Sequence, residues 1–312
     1  MQIGQNECLG IVGESGCGKT TIVKAVLKIL PPNGEIAAGR ILYKGTDLVP
    51  LTYEEMRKIR WKEISMVTQD ALNSLNPVHR VGEQIMEAIT THEEVDSQEV
   101  YRRATELFAL VGIEPKRFHD FPHQFSGGMR QRAIIAMALA LNPSLIIADE
   151  PTTALDVIVQ DSILQKIYKL RRTLQKAMLL ITHDVSVIVE NCDSVLVMYA
   201  GKIVEQGRTE VIFTTPYHPY TLGLQNAFPS IHGEVRELIS IPGAPPNLIN
   251  PPEGCRFHDR CPFSTDRCQE EEPPLRRVNE DHLSACHYPD RIDEFRKLAK
   301  SAETWQQDAR KA

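Results

Sequence analysis

Three stretches of this sequence place residues at spacings suited to holding and splitting a phosphate chain. In GESGCGKTT (13–21), three glycines lead into a lysine and two threonines, matching G-x-x-x-x-G-K-[ST]. Gly13, Gly16 and Gly18 let the backbone turn, so that its N–H groups and those of Glu14, Ser15 and Cys17 face one phosphate. Lys19 then neutralises β- and γ-phosphate oxygens, Thr20 ligates Mg2+, and Thr21 follows in the same first helical turn. Cys17 reads as a small residue lending its N–H, in preference to a redox switch. In LIIADEP (145–151) an apolar strand delivers Asp149 to its carboxyl end, where it holds Mg2+ through water. Side chains alternate along a strand, so Glu150 points elsewhere, toward an attacking water. In FSGGMRQR (125–132), Ser126 is a good N-cap, and Gly127 and Gly128 leave the first helical N–H groups open. That is a second anion site.

A fourth stretch carries thiols. Cys255, Cys261, Cys268 and Cys286 are spaced C-x5-C-x6-C-x17-C. Structural zinc sites usually hold tight C-x2–4-C pairs, and bacterial ferredoxins hold a closer run. The spacing therefore leaves zinc and an iron–sulfur cluster equally open.

The elements that must position these residues alternate. Strands are expected at 7–12, 63–69, 144–150 and 177–183, and helices at 19–30, 127–141, 156–172 and 184–191. Residues 39–48 read as strand, turn, strand, residues 81–112 as two amphipathic helices, and 194–207 as a hairpin. This order implies an α/β fold with a mainly parallel sheet and helices on both faces. The helical segment 71–142 forms a subdomain inserted into that sheet. Beyond residue 207, IPGAPPNLINPPEGC (241–255) has no helical period and reads as irregular connection, and a charged helical tail covers 290–312. Two domains follow, 1–207 and 208–312, and the first is expected to fold without the second.

The totals exclude several classes. Hydrophobic residues make up 42% of the 312, enough for a packed core. The longest uncharged apolar run, AIIAMALAL (133–141), is less than half a membrane span. The start lacks a signal core, so export is not expected, and the seven cysteines fall in a reducing compartment that disfavours disulfides. A net charge of −6 without a basic stripe argues against nucleic acid as partner.

Taken together, these motifs resemble the ABC-transporter ATP-binding cassette, over residues 5–207. The resemblance adds Gln69 in VTQD as the Q-loop, a Mg2+ contact, Asp156 in TTALD (152–156) as the D-loop, and His183 in LLITHD as the switch histidine. It implies that Ser126, Gly127, Gly128 and Gln131 close over the γ-phosphate of ATP held by a second ATPase subunit. It also implies that Gln69, Glu150 and His183 act in catalysis. QDALNSLNPVHRVGEQI (69–85), FPHQFSGGMRQRAIIAMALAL (121–141), HPYT (218–221) and GCRFHDRCP (254–262) are similar to the D-type ATPase subunits of oligopeptide and dipeptide permeases. Two departures stand out. Ala71 replaces a usual proline, and the cassette's first two strands and adenine-stacking aromatic are absent, with no aromatic before Tyr43, as in a truncated or misassigned start.

What that family implies is specific. Cys255, Cys261, Cys268 and Cys286 would bind a structural [4Fe–4S] cluster, Zn2+ being the alternative, which makes the extension an irregular, metal-bound segment. His258, His282 and His287 are then surface neighbours rather than ligands. The chain would work at the cytoplasmic face of the inner membrane as a peripheral subunit. Its partners would be a homologous ATPase in a heterodimer, two transmembrane permease subunits and, through them, an extracytoplasmic binding protein. HPYT and the tail would join ATPase to ATPase or shape a regulatory face. Peptides are the expected cargo, with oligosaccharide or nickel as the alternative. A soluble ABC ATPase acting on nucleic acid or ribosomes is the remote rival: those carry two cassettes or long insertions, and this chain has neither.

Overall fold

A computed structural model describes residues 1–68, 74–151, 157–227 and 238–306, with 157–163 described through the backbone alone. Strand β1 (Cys8–Val12) is buried along its length and runs into the glycine turn before α1 (Lys19–Val26). Helix α1 stops short of residue 30, and Lys28 takes a left-handed φ of 50°. A hairpin, β2 (Leu42–Tyr43) and β3 (Thr46–Asp47), precedes α2 (Tyr53–Ile59), whose start is fixed by a Thr52–Glu55 capping box. Then come β4 (Ile64–Val67), α3 (Val81–Thr90), α4 (Ser97–Leu110), α5 (Gly127–Leu139), β5 (Leu145–Asp149), α6 (Val157–Leu174) and β6 (Ala177–Ile181). The chain continues through α7 (Val185–Asn191), β7 (Ser194–Tyr199), β8 (Lys202–Arg208), α8 (Thr209–Thr214) and α9 (Pro219–Ala227). It ends with α10 (Asp266–Glu270), β9 (Arg276–Asn279), β10 (His282–Ser284), α11 (Ile292–Leu298) and α12 (Ala302–Gln306).

Two compact units emerge: Met1, Cys8–Lys19 and Thr182–Ala312 form the first, and Gln2–Glu7 with Thr20–Ile181 the second. In the second unit β4, β5 and β6 run parallel, in the register Ile64↔Leu145 and Leu145↔Ala177. Ile146, Ile147, Leu179 and Leu180 are buried, as parallel strands covered on both faces require. Helices α3 to α5 share this unit, around a cluster in which the Phe108 and Phe118 rings lie 5.6 Å apart. Burying one such ring contributes about 1.5–3 kcal/mol.

The first unit holds a mixed sheet in the order β1-β7-β8-β10-β9, with β1 parallel to β7 and the remaining pairs antiparallel. Here the expectation of an irregular extension is corrected. The extension supplies β9 and β10, and β10 pairs with β8 through Leu283↔Gln206 and Ser284↔Glu205. Without it the outer edge of β8 would present open N–H and C=O groups. The tail is helical and divided: α11 and α12 are separate, and each buries an aromatic anchor, Phe295 and Trp305. No helix among the described residues is long and apolar enough to cross a membrane.

Candidate functional site

The phosphate loop begins where β1 ends. A side chain at Gly13 would put its Cβ 2.2 Å from the Met198 carbonyl oxygen, so the loop can start here only with glycine. Gly16 and Gly18 take φ of 79° and 100°, the left-handed region that lets a tight loop turn its N–H groups inward. Ser15 and Gly16 are exposed, Gly18 is half-buried, and Cys17 is buried. Burial pushes the Cys17 thiol up, with Lys19 opposing. Lys19 is 6% exposed, and its Nζ donates to the carbonyls of Gly13 at 2.7 Å and Glu14 at 3.0 Å. The ammonium is thus stored on the loop itself, within reach of any phosphate that enters.

In the second unit, Thr20 lies in the first turn of α1 and Asp149 ends β5. Thr20 Oγ1 donates to Asp149 Oδ1 at 3.3 Å, and Asp149 is 1% exposed. A hydroxyl and a buried carboxylate at hydrogen-bond distance are hard oxygen donors of the kind Mg2+ takes, usually keeping waters besides. The pair therefore fits that ion. Glu150 follows with φ 45°, rare for a side chain with a Cβ, and its N–H donates to the Ile181 carbonyl at 2.9 Å. Such a conformation costs on the order of 1–3 kcal/mol and is typical of functional positions. Thr21 is exposed at the start of α1.

The signature residues lie in the second unit too. Ser126 is exposed and caps α5, its Oγ accepting the Met129 N–H at 3.3 Å. Gly127 and Gly128, at the first two positions, are half-buried. Gln131 differs: it is 3% exposed and its Nε2 has no partner among the described residues, so its amide is not presented at the open helix start. His183, in the first unit, is exposed just after β6, before Asp184 caps α7 by accepting the Ser186 N–H at 2.9 Å. Gln69, Ala71 and Asp156 lie outside the described residues.

HPYT does not form a docking surface. His218, Tyr220 and Thr221 are almost wholly buried, and the Tyr220 hydroxyl accepts the backbone N–H of Glu14 at 3.0 Å. Burial lowers the His218 pKa to about 3, and its Nδ1 accepts the Tyr220 N–H at 3.1 Å. A neutral histidine thus fixes the tyrosine that steadies the loop. No sequence spacing announces this, because the two ends are 206 residues apart.

The four extension cysteines all line one cavity, walled by Phe257, Phe263, Tyr288 and Phe295. Burial, with some help from neighbouring thiols, pushes Cys255 up to about 12 and Cys286 to about 11. Thiols so placed stay protonated unless a cation balances them. Among the described residues no three His, Cys, Asp or Glu side chains converge closely enough to hold a single metal ion. A converged zinc centre, and with it a metal-bound extension, is therefore not what this arrangement displays. One histidine expectation also changes. His282 is 1% exposed, and its Nε2 lies 2.6 Å from the Glu205 carboxylate, itself 0% exposed. His258 and His287 line the cysteine cavity as well, against Asp259 and the Glu271 carbonyl.

Comparison with known proteins accords with this geometry. A family described as ABC transporter matches residues 1–153, and one described as oligopeptide/dipeptide transporter, C-terminal region, matches residues 204–268. The oligopeptide transport ATP-binding protein OppD of Bacillus subtilis (strain 168) is 48% identical over 89% of this chain and 79% of its own length. The dipeptide transport ATP-binding protein DppD of Caldanaerobacter subterraneus subsp. tengcongensis is 44% identical over 92% of this chain and 89% of its own. Among solved structures, the dimeric ATP-binding cassette MJ0796, in a post-hydrolysis state bound to ADP and Pi, aligns with a TM-score of 0.59 and 28% identity. That alignment covers 67% of this chain and 88% of that one. The cassette cbiO1 of Clostridium perfringens, part of the ABC transporter complex cbiONQ, gives a TM-score of 0.60 and 27% identity, covering 68% and 81%. The chain has the P-loop α/β fold of an ABC ATPase and belongs to the family of ABC transporter ATP-binding proteins that includes OppD and DppD.

Proposed function

We propose that this chain hydrolyses ATP to drive import of di- or oligopeptides through a membrane permease. The observation that carries this reading is the pairing of a complete phosphate loop with an extension matched by the oligopeptide/dipeptide family over 204–268. OppD and DppD are named for oligopeptide and dipeptide transport, and the chain aligns with them through both halves. The ATPase works as a peripheral subunit at the cytoplasmic face of the inner membrane, against two transmembrane subunits that receive cargo from an extracytoplasmic binding protein. A second, homologous ATPase completes each nucleotide site. Lys19 and the loop N–H groups hold the phosphates, Thr20, Asp149 and Gln69 surround Mg2+, Glu150 takes a proton from water, and His183 senses the γ-phosphate. Asp156 and the helix start at Ser126, Gly127 and Gly128 serve the partner's nucleotide. In a transporter reconstituted with its permease and binding protein, peptide should raise ATP turnover severalfold. Equal or greater stimulation by an oligosaccharide or by nickel, and none by peptide, would transfer the role to that cargo.

The cysteines complete the reading. Cys255, Cys261, Cys268 and Cys286 would hold a [4Fe–4S] cluster whose contribution is a crosslink among the short elements of the extension. Support comes from their shared cavity and from the family resemblance. Protein purified without oxygen should be brown, with broad absorption near 400 nm and about four irons per chain, the count that cluster type implies. Serine at any of the four should remove the colour and open residues 240–290 to protease. Colourless protein with one zinc per chain would replace the cluster while keeping the crosslink. Metal-free protein with an equally resistant extension would leave the cysteines as small core residues.

A further inference from the structure

Two arginines of the cysteine-rich extension bear on the phosphate loop, Arg260 directly and Arg256 through the neighbouring turn. Arg260 is 8% exposed, and its Nη1 donates to both oxygens of the Glu14 carboxylate, at 3.0 and 2.8 Å, and to the Tyr199 hydroxyl at 3.2 Å. Its other nitrogens are committed to the extension itself, Nε to the Pro242 carbonyl at 2.8 Å and Nη2 to that of Ile241 at 3.4 Å. The guanidinium is therefore a rigid bridge between the Pro-rich connection and the second residue of the loop. Arg256 makes a parallel tie: its Nη1 donates to the Ala200 carbonyl, and the next residue, Gly201, donates its N–H to the Cys17 carbonyl at 3.0 Å. Beneath the loop, Phe257 packs on Tyr199 and Tyr220 with ring centroids 5.1 and 5.4 Å away. Arg256 directly follows Cys255, and Arg260 directly precedes Cys261. Whatever fixes those two cysteines fixes both arginines.

The charge balance makes the Arg260 contact consequential. Glu14 is the one acidic side chain inside the loop, and ATP brings several negative charges to the same backbone. Left unpaired, that carboxylate would oppose the nucleotide at short range and in poor solvent screening. We propose that Arg260 is a positioning residue for the phosphate loop, holding the Glu14 carboxylate out of the anion cradle, so that the extension sets the chain's affinity for ATP. This rests on assigning residues 13–20 to the phosphates and adds a control that acts on them from a distant part of the chain.

The test measures Mg–ATP binding to the full-length chain, and KM and kcat in the assembled transporter, for wild type, Arg260→Gln, Glu14→Gln and the double variant. Arg260→Gln should weaken ATP binding about tenfold and raise KM by a similar factor, with kcat within twofold. Glu14→Gln is the single-variant reference for the pair, removing the side-chain charge and keeping the backbone N–H in the loop. In the double variant, removing the carboxylate should restore affinity to within about threefold, a rescue that mere loosening of the extension would not give. Arg260→Lys, which keeps the charge, should fall between wild type and Arg260→Gln. Thermal melting distinguishes misfolding from positioning, and Lys19→Ala controls for the site. Arg260→Gln with wild-type affinity and melting would overturn the proposal, as would a loss that Glu14→Gln fails to rescue. If Arg260→Gln does not fold, a Glu14→Gln/Arg260→Lys chain that binds ATP no better than Arg260→Lys would overturn it too. Wild-type binding that is insensitive to Lys19→Ala would instead remove the loop assignment on which the proposal stands.

Discussion

Replacing Glu150 by glutamine should leave ATP binding intact, trap a closed ATPase dimer, and lower hydrolysis at least a hundredfold. The binding half follows from what the substitution spares. Thr20 and Asp149 keep their own hydrogen bond, so the Mg2+ donors are untouched, and glutamine keeps nearly the shape of glutamate. The backbone holds position 150 at φ 45° through a hydrogen bond from its N–H to Ile181, which an amide side chain does not disturb. What is lost is the ability to take a proton from water. General-base catalysis is typically worth 10²–10⁴-fold, so a hundredfold loss corresponds to about 2.7 kcal/mol of barrier. The measurement is turnover in the assembled transporter beside ATP binding at equilibrium. Near-normal turnover would remove Glu150 from the role, whereas lost binding would mean that the substitution had damaged the Mg2+ site.

The phosphate loop and the carboxylate pair were readable because their chemistry is local. Gly13 to Thr20 are consecutive, and Asp149 and Glu150 sit at the end of a strand whose apolar run marks it. The extension was not readable for the opposite reason. A three-residue strand such as His-Leu-Ser carries no usable period, and β10 is defined by its pairing with β8 on one side and β9 on the other. Arg260 and Glu14 are 246 residues apart, and nothing near either one signals the other. The same holds for Glu205, whose carboxylate meets His282 across 77 residues, so a histidine beside a cysteine cluster passed for a surface group. Proline-rich composition suggested a loose appendage that the nucleotide domain could do without. Instead the extension completes the first unit's sheet edge, and its Tyr220 and Arg260 contact Glu14 of the phosphate loop.

Ser126→Asp should leave ATP binding by this chain within about twofold while lowering turnover of the assembled transporter at least a hundredfold. The choice of aspartate separates two jobs. Ser126 caps α5 by accepting the Met129 N–H, and aspartate is as good a cap, so the helix should keep its stability. A carboxylate at an exposed helix start nevertheless fills the anion site that the open N–H groups of Gly127 and Gly128 create, and it repels a γ-phosphate brought there. If that phosphate belongs to ATP held by the partner ATPase, this chain's own loop is unaffected, and the defect shows only after assembly. The cassette MJ0796, similar over 67% of this chain, is itself described as dimeric. Binding of labelled ATP to the isolated variant, set beside turnover of the reconstituted complex, measures both halves. Loss of binding in the isolated variant would put Ser126 in its own chain's site. Normal turnover in the complex would show that the helix start meets no phosphate, leaving Ser126 as the cap of α5 and nothing more.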